Sequence, residues 1–196
     1  MVVNNKLSPV LYFLVAGLVS CGMRKVYLGN NTTAVPKNTK AYKNRVRFDS
    51  TVLKNIDTSI VYEEIGYLHM DSLWLRRKAP FTSHYTHYGV LRFYSNGFMN
   101  EFIVDSTKPL IPKNFDPAYA GYRGVYYRKK SHIQLELLGP VNGLQHMGKL
   151  IFYIETKGDT LITSQGRSAF TRHVYVKRKL PPEYLSYTNP DFTKTN

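Results

Sequence analysis

From residue 49 onward, apolar and polar positions alternate with a period of two, and turn-forming residues recur between the alternating runs. Residues 90–94 and 98–104 flank Ser95-Asn96-Gly97, and Asn-Gly between alternating runs is the strongest short hairpin signal. A two-residue turn there pairs Tyr94 with Met99, Arg92 with Glu101 and Val90 with Ile103, which sets opposite charges across from each other. Residues 124–128 and 132–138 flank Lys129-Lys130-Ser131. Ile133, Leu135 and Leu137 fall on one face, and His132, Gln134 and Glu136 on the other, the pattern of a half-buried strand. Residues 149–155 and 160–163 flank Lys157-Gly158-Asp159, and 171–176 follow as a further strand ended by Pro181-Pro182. Residues 60–62 and 73–75 read as earlier strands, although 62–65 also admit a helical turn.

These runs predict an all-β chain, an antiparallel meander of at least seven strands. Such a sheet has to cover its edges, and closing into a barrel or half-barrel does so. Gly89, Gly124 and Gly148 each open an aromatic strand, but their unequal spacing excludes a propeller or solenoid.

The N-terminus follows a different pattern. Lys6 precedes an uninterrupted apolar run over 10–19, which is followed by Ser20-Cys21-Gly22, the form of a signal peptide before its cleavage site. Ten residues are too few for a membrane-crossing helix, which takes about 20. Cys21 is the only cysteine, so intramolecular disulfides and multi-cysteine zinc sites are excluded.

Charge changes the picture next to this segment. The chain carries 27 Lys and Arg against 13 Asp and Glu. Residues 22–48 contain no acid, while Arg24, Lys25, Lys37, Lys40, Lys43, Arg45 and Arg47 contribute +7. The polar stretch from Gly29 past Pro36 reads as a flexible linker. Its basic residues serve either as a solvated spacer or as a membrane-proximal patch, each drawn to an anionic leaflet by about 1 kcal/mol. The predicted organisation is therefore a signal peptide over 1–20, a basic tether over 21–48, a β domain over 49–180 and a C-terminal tail over 181–196.

Leu18-Val19-Ser20-Cys21 resembles the lipobox of bacterial lipoproteins. The resemblance implies that the Cys21 thiol receives diacylglycerol and that cleavage makes Cys21 the first residue of the mature chain. Gly22 in place of aspartate implies sorting to the outer membrane, and the absence of an acidic cluster after it implies a periplasm-facing leaflet. The aromatic strands, the Asn-Gly hairpin and Gly158-Asp159-Thr160-Leu161, over roughly 57–178, are similar to the lipocalin-like domains of small Gram-negative lipoproteins. That similarity implies a binding fold without naming a ligand.

Candidate chemistry is sparse. Gly143 to Lys149 has phosphate-loop spacing, but Leu150 stands where a magnesium-binding hydroxyl belongs and a strand follows in place of a helix, so the glycines are expected to bracket a loop. Six histidines invite a metal reading, yet His84 and His87 fall on opposite faces of a strand, and no metal is expected. No nucleophile, acid pair or cofactor motif is arranged, Glu63 and Glu64 point apart in a strand, and no enzyme activity or cofactor is expected. The clusters 76–78, 128–130 and 177–179 are expected to be solvated turn charge rather than a nucleic-acid surface. Asp49-Ser-Thr, Asp71-Ser-Leu, Asp105-Ser-Thr and Asp159-Thr-Leu resemble a short bacterial O-glycosylation acceptor and are equally ordinary turn formers.

The leading expectation is a lipid-anchored outer-membrane barrel, held by membrane lipid through acylated Cys21, that binds an apolar or amphiphilic small molecule in a mouth lined by some of its 16 Tyr and 10 Phe. The alternative is a structural or adaptor lipoprotein that meets an envelope protein partner through an exposed aromatic surface or the tail from Tyr184 to Phe192.

Overall fold

A computed structural model describes residues 23–69, 72–75, 86–141, 146–166 and 169–194, with 73–75 described by their backbone. The signal segment, the lipobox-like residues with Cys21, the cluster 76–78, Asp71, His84 and Gly143 lie outside the described residues.

Eight antiparallel strands close into a barrel: β3 (Val61–His69), β5 (His87–Phe93), β6 (Phe98–Asp105), β7 (Tyr122–Lys129), β8 (His132–Val141), β9 (His146–Lys157), β10 (Thr160–Ser164) and β11 (Thr171–Arg178). Each pairs with the next, and β11 returns to β3 along its whole length from Thr171↔His69 to Arg178↔Val61, leaving no open sheet edge there. The expected antiparallel meander thus closes into a barrel. β4 (Ser72–Leu75) folds back on the far half of β3, and β1 (Lys25–Tyr27) with β2 (Ala34–Pro36) forms a separate hairpin. Residues 62–65 belong to β3 and form no helical turn.

The lumen is set by the alternation. Tyr62, Leu91, Phe93, Met99, Tyr126, Leu135, Leu137, Leu161 and Tyr175 make one buried cluster. At one end the chain entering the barrel plugs it. Val52, on a 3-10 segment at Ser50–Lys54, packs there with Ile56 and Ile60, and Phe48 lies edge-on to Tyr126 at 5.3 Å. Tyr62 and Phe93 meet edge-to-face at 5.6 Å, and the Tyr126 hydroxyl donates to the Tyr94 carbonyl at 2.6 Å.

The β5–β6 hairpin differs from expectation by one residue. Phe93 pairs with Met99, Arg92 with Asn100 and Leu91 with Glu101. Tyr94 N–H donates to Phe98 O and Gly97 N–H to Tyr94 O, and Gly97 has φ of +85°, so the loop is the three-residue Ser95-Asn96-Gly97 with a glycine bulge. A left-handed glycine suits both loop lengths, and the Asn-Gly pair does not choose between them. The register that sends Leu91, Phe93 and Met99 together into the lumen does. A slip of one residue reverses faces, so Arg92 points outward and Glu101 inward.

The segments on either side of the barrel are also not as expected. The described part of 21–48 is packed on the outer wall rather than being a flexible linker: Val35 and Tyr42 are buried, and a 3-10 segment at Thr39–Arg47 lies beside β7. It covers the polar face of β8, so that strand is buried on both faces rather than half-buried. Glu136, only 3% exposed, accepts from Asn44 Nδ2 at 2.7 Å and from the Tyr127 hydroxyl at 2.8 Å, and pairs with Lys149 at 3.0 Å. These contacts hold its carboxyl below the ordinary value despite burial, which acts the other way. The tail is likewise no free docking strip. Phe192 is buried against Phe98 and Tyr42 at 5.0 and 5.8 Å, and Tyr184 packs on Phe115 at 5.9 Å. Most of the rings that the sequence offers for a mouth therefore pack in the core or between the barrel wall and these two segments.

Candidate functional site

The end of the barrel opposite the plug holds a cavity of about 290 Å³. Ile103 of β6, Phe152 of β9 and Tyr175 of β11 form apolar walls, and Glu64, Glu101, His87 and His173 supply polar groups. Ile103 pairs with Gly89 on the lumen-facing register yet is 51% exposed, so the interior reaches solvent at this end.

The site exists because two strands part. β3 and β5 share only the pairs Tyr62↔Leu91 and Glu63↔Val90, after which β3 takes β4 as its partner. Gly89 N–H is left without a ladder acceptor and donates instead to Glu64 Oε2 at 2.9 Å. The other oxygen, Oε1, lies 2.8 Å from His173 Nδ1. His173 and Tyr175, two apart on β11, both face the cavity, and a bulge on β3 places one extra residue between their partners Tyr67 and Glu64. Glu101 sits opposite Tyr122, whose phenol is raised above its ordinary value by burial and then by the Glu101 charge.

Glu63 and Glu64 do point apart, as adjacent strand residues must: Glu63 pairs outward with Arg178 and Glu64 turns into the lumen. Sequence reasoning missed that Glu64 and Glu101, on strands separated by β5, converge over Gly89. The available signal was a carboxylate at a lumen position of each apolar run, Glu64 two residues after Tyr62 and Glu101 between Met99 and Ile103.

The remaining candidates are placed separately. Gly148 lies within β9 opposite Gly139 rather than bracketing a loop, because the β8–β9 ladder continues past it to Val141↔His146. His69 contacts Thr171, His87 contacts Thr86, and His132 lies edge-on to Tyr153. Among the described residues no group of three His, Cys, Asp or Glu side chains converges as metal ligands. Arg128 reaches Thr51, and Lys177 pairs with Asp159 at 3.1 Å. Arg24, Lys25, Lys37, Lys40, Lys43, Arg45 and Arg47 are all exposed, with Arg45 donating to Asn96 O at 3.0 Å and Arg47 lying over the Tyr127 ring. Asp49 and Asp105 each fold back on the threonine two residues on, the turn-forming role.

No protein-family model, curated protein or solved structure matches this chain.

Proposed function

We propose that this chain is a lipid-anchored outer-membrane lipoprotein whose barrel holds one apolar or amphiphilic small molecule at its open end. The observation that carries the binding reading is the asymmetry of the lumen: one end is plugged by Val52 and Ile56, while the other retains a cavity of about 290 Å³ walled by Ile103, Phe152 and Tyr175. An eight-stranded barrel has an interior just wide enough for side chains or for one small ligand, and here the plug fills one part and leaves the other. The cavity is at the small end of the range for ligand pockets, and its few polar groups are placed to orient what enters.

The anchor rests on Leu18-Val19-Ser20-Cys21. Two or three acyl chains, each buried CH₂ contributing about 0.8 kcal/mol, would hold the barrel stably at a bilayer surface, and no span is needed. Among the described residues no helix is long and apolar enough to cross a membrane.

Native mass spectrometry of the protein purified from its own host tests the binding reading. A retained small molecule that is lost when Ile103→Trp fills the mouth is the expected result. A mass that fits protein alone, with no ligand recovered by extraction, counts against it. Fractionation of the host tests the anchor: wild type should partition with the outer membrane and Cys21→Ser should not.

A further inference from the structure

The basic segment beside the anchor is folded onto the barrel, and this decides which wall meets the membrane, an inference that rests on the anchor reading above. Met23 is half-buried against the outer-wall cluster of Tyr42, Phe98, Val125, Leu138 and Phe192. Cys21 precedes it by two residues, and two residues reach at most about 7 Å. An acylated Cys21 therefore holds this wall itself near the bilayer.

The 3-10 segment Thr39–Arg47 shows which side chains that wall presents, because side chains three apart eclipse in a 3-10 helix. One row faces inward through Tyr42, which is buried, and Arg45, which lies over the Phe98 ring and donates to Asn96 O. A second row also rests on the wall: Ala41 packs on the cluster, Asn44 donates to Glu136, and Arg47 lies over the Tyr127 ring. The third row, Lys40, Lys43 and Val46, has only solvent to face. All three are exposed, and Val46, at 85%, is the most exposed large apolar side chain among the described residues. Lys37, whose N–H donates to Arg24 O at 2.8 Å, carries the basic surface on to the β1–β2 hairpin, where Val26 and Tyr27 are also exposed.

Two lysines in line with a bare valine suit a bilayer surface, which attracts basic side chains to its phosphates and takes apolar ones at the headgroup boundary. Residues 22–48 contain no acid that would oppose this. The acids bordering the neighbouring groove are engaged, Asp116 with Ala118 N–H at 2.8 Å and Asp191 with Thr193 and Lys194. We propose that the row Lys40, Lys43 and Val46, held rigidly on the outer wall, is a docking face for an anionic phospholipid bilayer, so that the barrel lies with this wall against the membrane.

Full-length protein carrying Cys21→Ser has no thiol to acylate, and its apolar run over 10–19 is common to every variant compared, so differences between variants report the face. Co-sedimentation with phosphatidylcholine vesicles, with and without phosphatidylglycerol, reads the charge. Lys40→Gln with Lys43→Gln should weaken binding to the anionic vesicles about ten-fold to thirty-fold at low salt, and Lys129→Gln with Lys130→Gln, an equal charge loss at the β7–β8 turn, by no more than about two-fold. Raising salt to about 0.5 M should erase the difference between the two pairs. Contact is read separately: Val46→Trp should shift its emission to the blue on anionic vesicles and be quenched by brominated lipid beyond the quenching of Trp74 alone. All the substituted side chains outside the anchor are exposed, and unchanged melting temperatures confirm that the variants are folded. Equal weakening by the two lysine pairs, or no added quenching at Val46→Trp, overturns the docking face and leaves the anchor reading standing. An unacylated mass for the wild-type protein from its own host, with the vesicle results as expected, overturns the anchor and leaves the face.

Discussion

Glu64 accepts the backbone hydrogen of Gly89 at 2.9 Å, and that bond continues the β3–β5 seam where the ladder stops. β3 and β5 share two register pairs, the fewest of any neighbours in the barrel. A side chain that is 4% exposed thus closes the wall with one oxygen and orients His173 with the other. Glu64→Ala should lower stability by about 1–3 kcal/mol, the cost of leaving a buried donor without an acceptor. Glu64→Gln keeps an acceptor at the same reach and should lose less. Urea denaturation of the two variants checks the order, and an equal loss would show that charge rather than the Gly89 bond matters at this seam.

Gly97 is held by two independent demands. Its φ of +85° is a conformation that L side chains rarely adopt, and a Cβ there would lie 2.6 Å from Phe48 Cγ, inside the plugged end. Gly97→Val should therefore lower stability by about 2–4 kcal/mol, combining left-handed strain with overpacking. Gly158 offers the control: its φ is also positive, at +57°, but nothing lies within 4 Å of an added Cβ. Gly158→Ala should cost only the backbone part, about 1–2 kcal/mol. Thermal melts of both variants separate the two contributions.

What the sequence made legible follows from which signals are local. The alternation of Ile133, Leu135 and Leu137 places all three in the lumen as expected, and the Lys129-Lys130-Ser131 turn stands, with Lys130 at φ of +57°. Period-two patterning depends on one strand and one core, and it carried the barrel. It does not report what covers the opposite face. Gln134 and Glu136 read as solvent-facing because their polarity fits water, yet both are buried, and Glu136 is satisfied by Asn44 from the segment before the barrel together with Tyr127 and Lys149 of the neighbouring strands. The same blindness hid the candidate site. Glu64 and Glu101 are 37 residues apart and meet only because β5 lies between them, a relationship fixed by register, and the expected hairpin register placed Glu101 opposite Arg92.

The tail should behave as part of the domain. Arg92 is 3% exposed on the outer wall, where its guanidinium donates to the carbonyls of Tyr184 and Leu185 at 3.4 and 2.7 Å. Burial pushes its pKa down from the ordinary arginine value, the mark of a cation held out of water. Phe192→Ala should destabilise by about 3–5 kcal/mol through the void left against Tyr42 and Phe98. Hydrogen exchange should then show early opening of residues 182–194. A Phe192→Ala variant with unchanged melting temperature would mean that the tail does not hold the wall.

Acid should loosen the fold through four local turns. Asp49, Asp57, Asp105 and Asp191 each accept both the backbone N–H and the hydroxyl of the residue two positions on, Thr51, Ser59, Thr107 and Thr193. All four carboxyls are lowered, chiefly by the side-chain hydrogen bond, and Asp105 falls from 3.8 to about 2. A depressed folded-state value means that the unfolded chain binds protons first. The stabilisation is fully present above the ordinary carboxylate range, declines as pH falls below about 4, and is gone below about 2. Self-repulsion of a chain already at +14 grows over the same window, but salt separates the two: repulsion between surface charges is screened, whereas a short hydrogen bond from a hydroxyl to a carboxylate is affected far less. Melting temperature followed from pH 5 to pH 2 should fall at both low and high ionic strength, with Asp105→Asn reducing the fall in each. If high salt abolishes the decline, or Asp105→Asn leaves it unchanged, net charge rather than these turns governs the acid response.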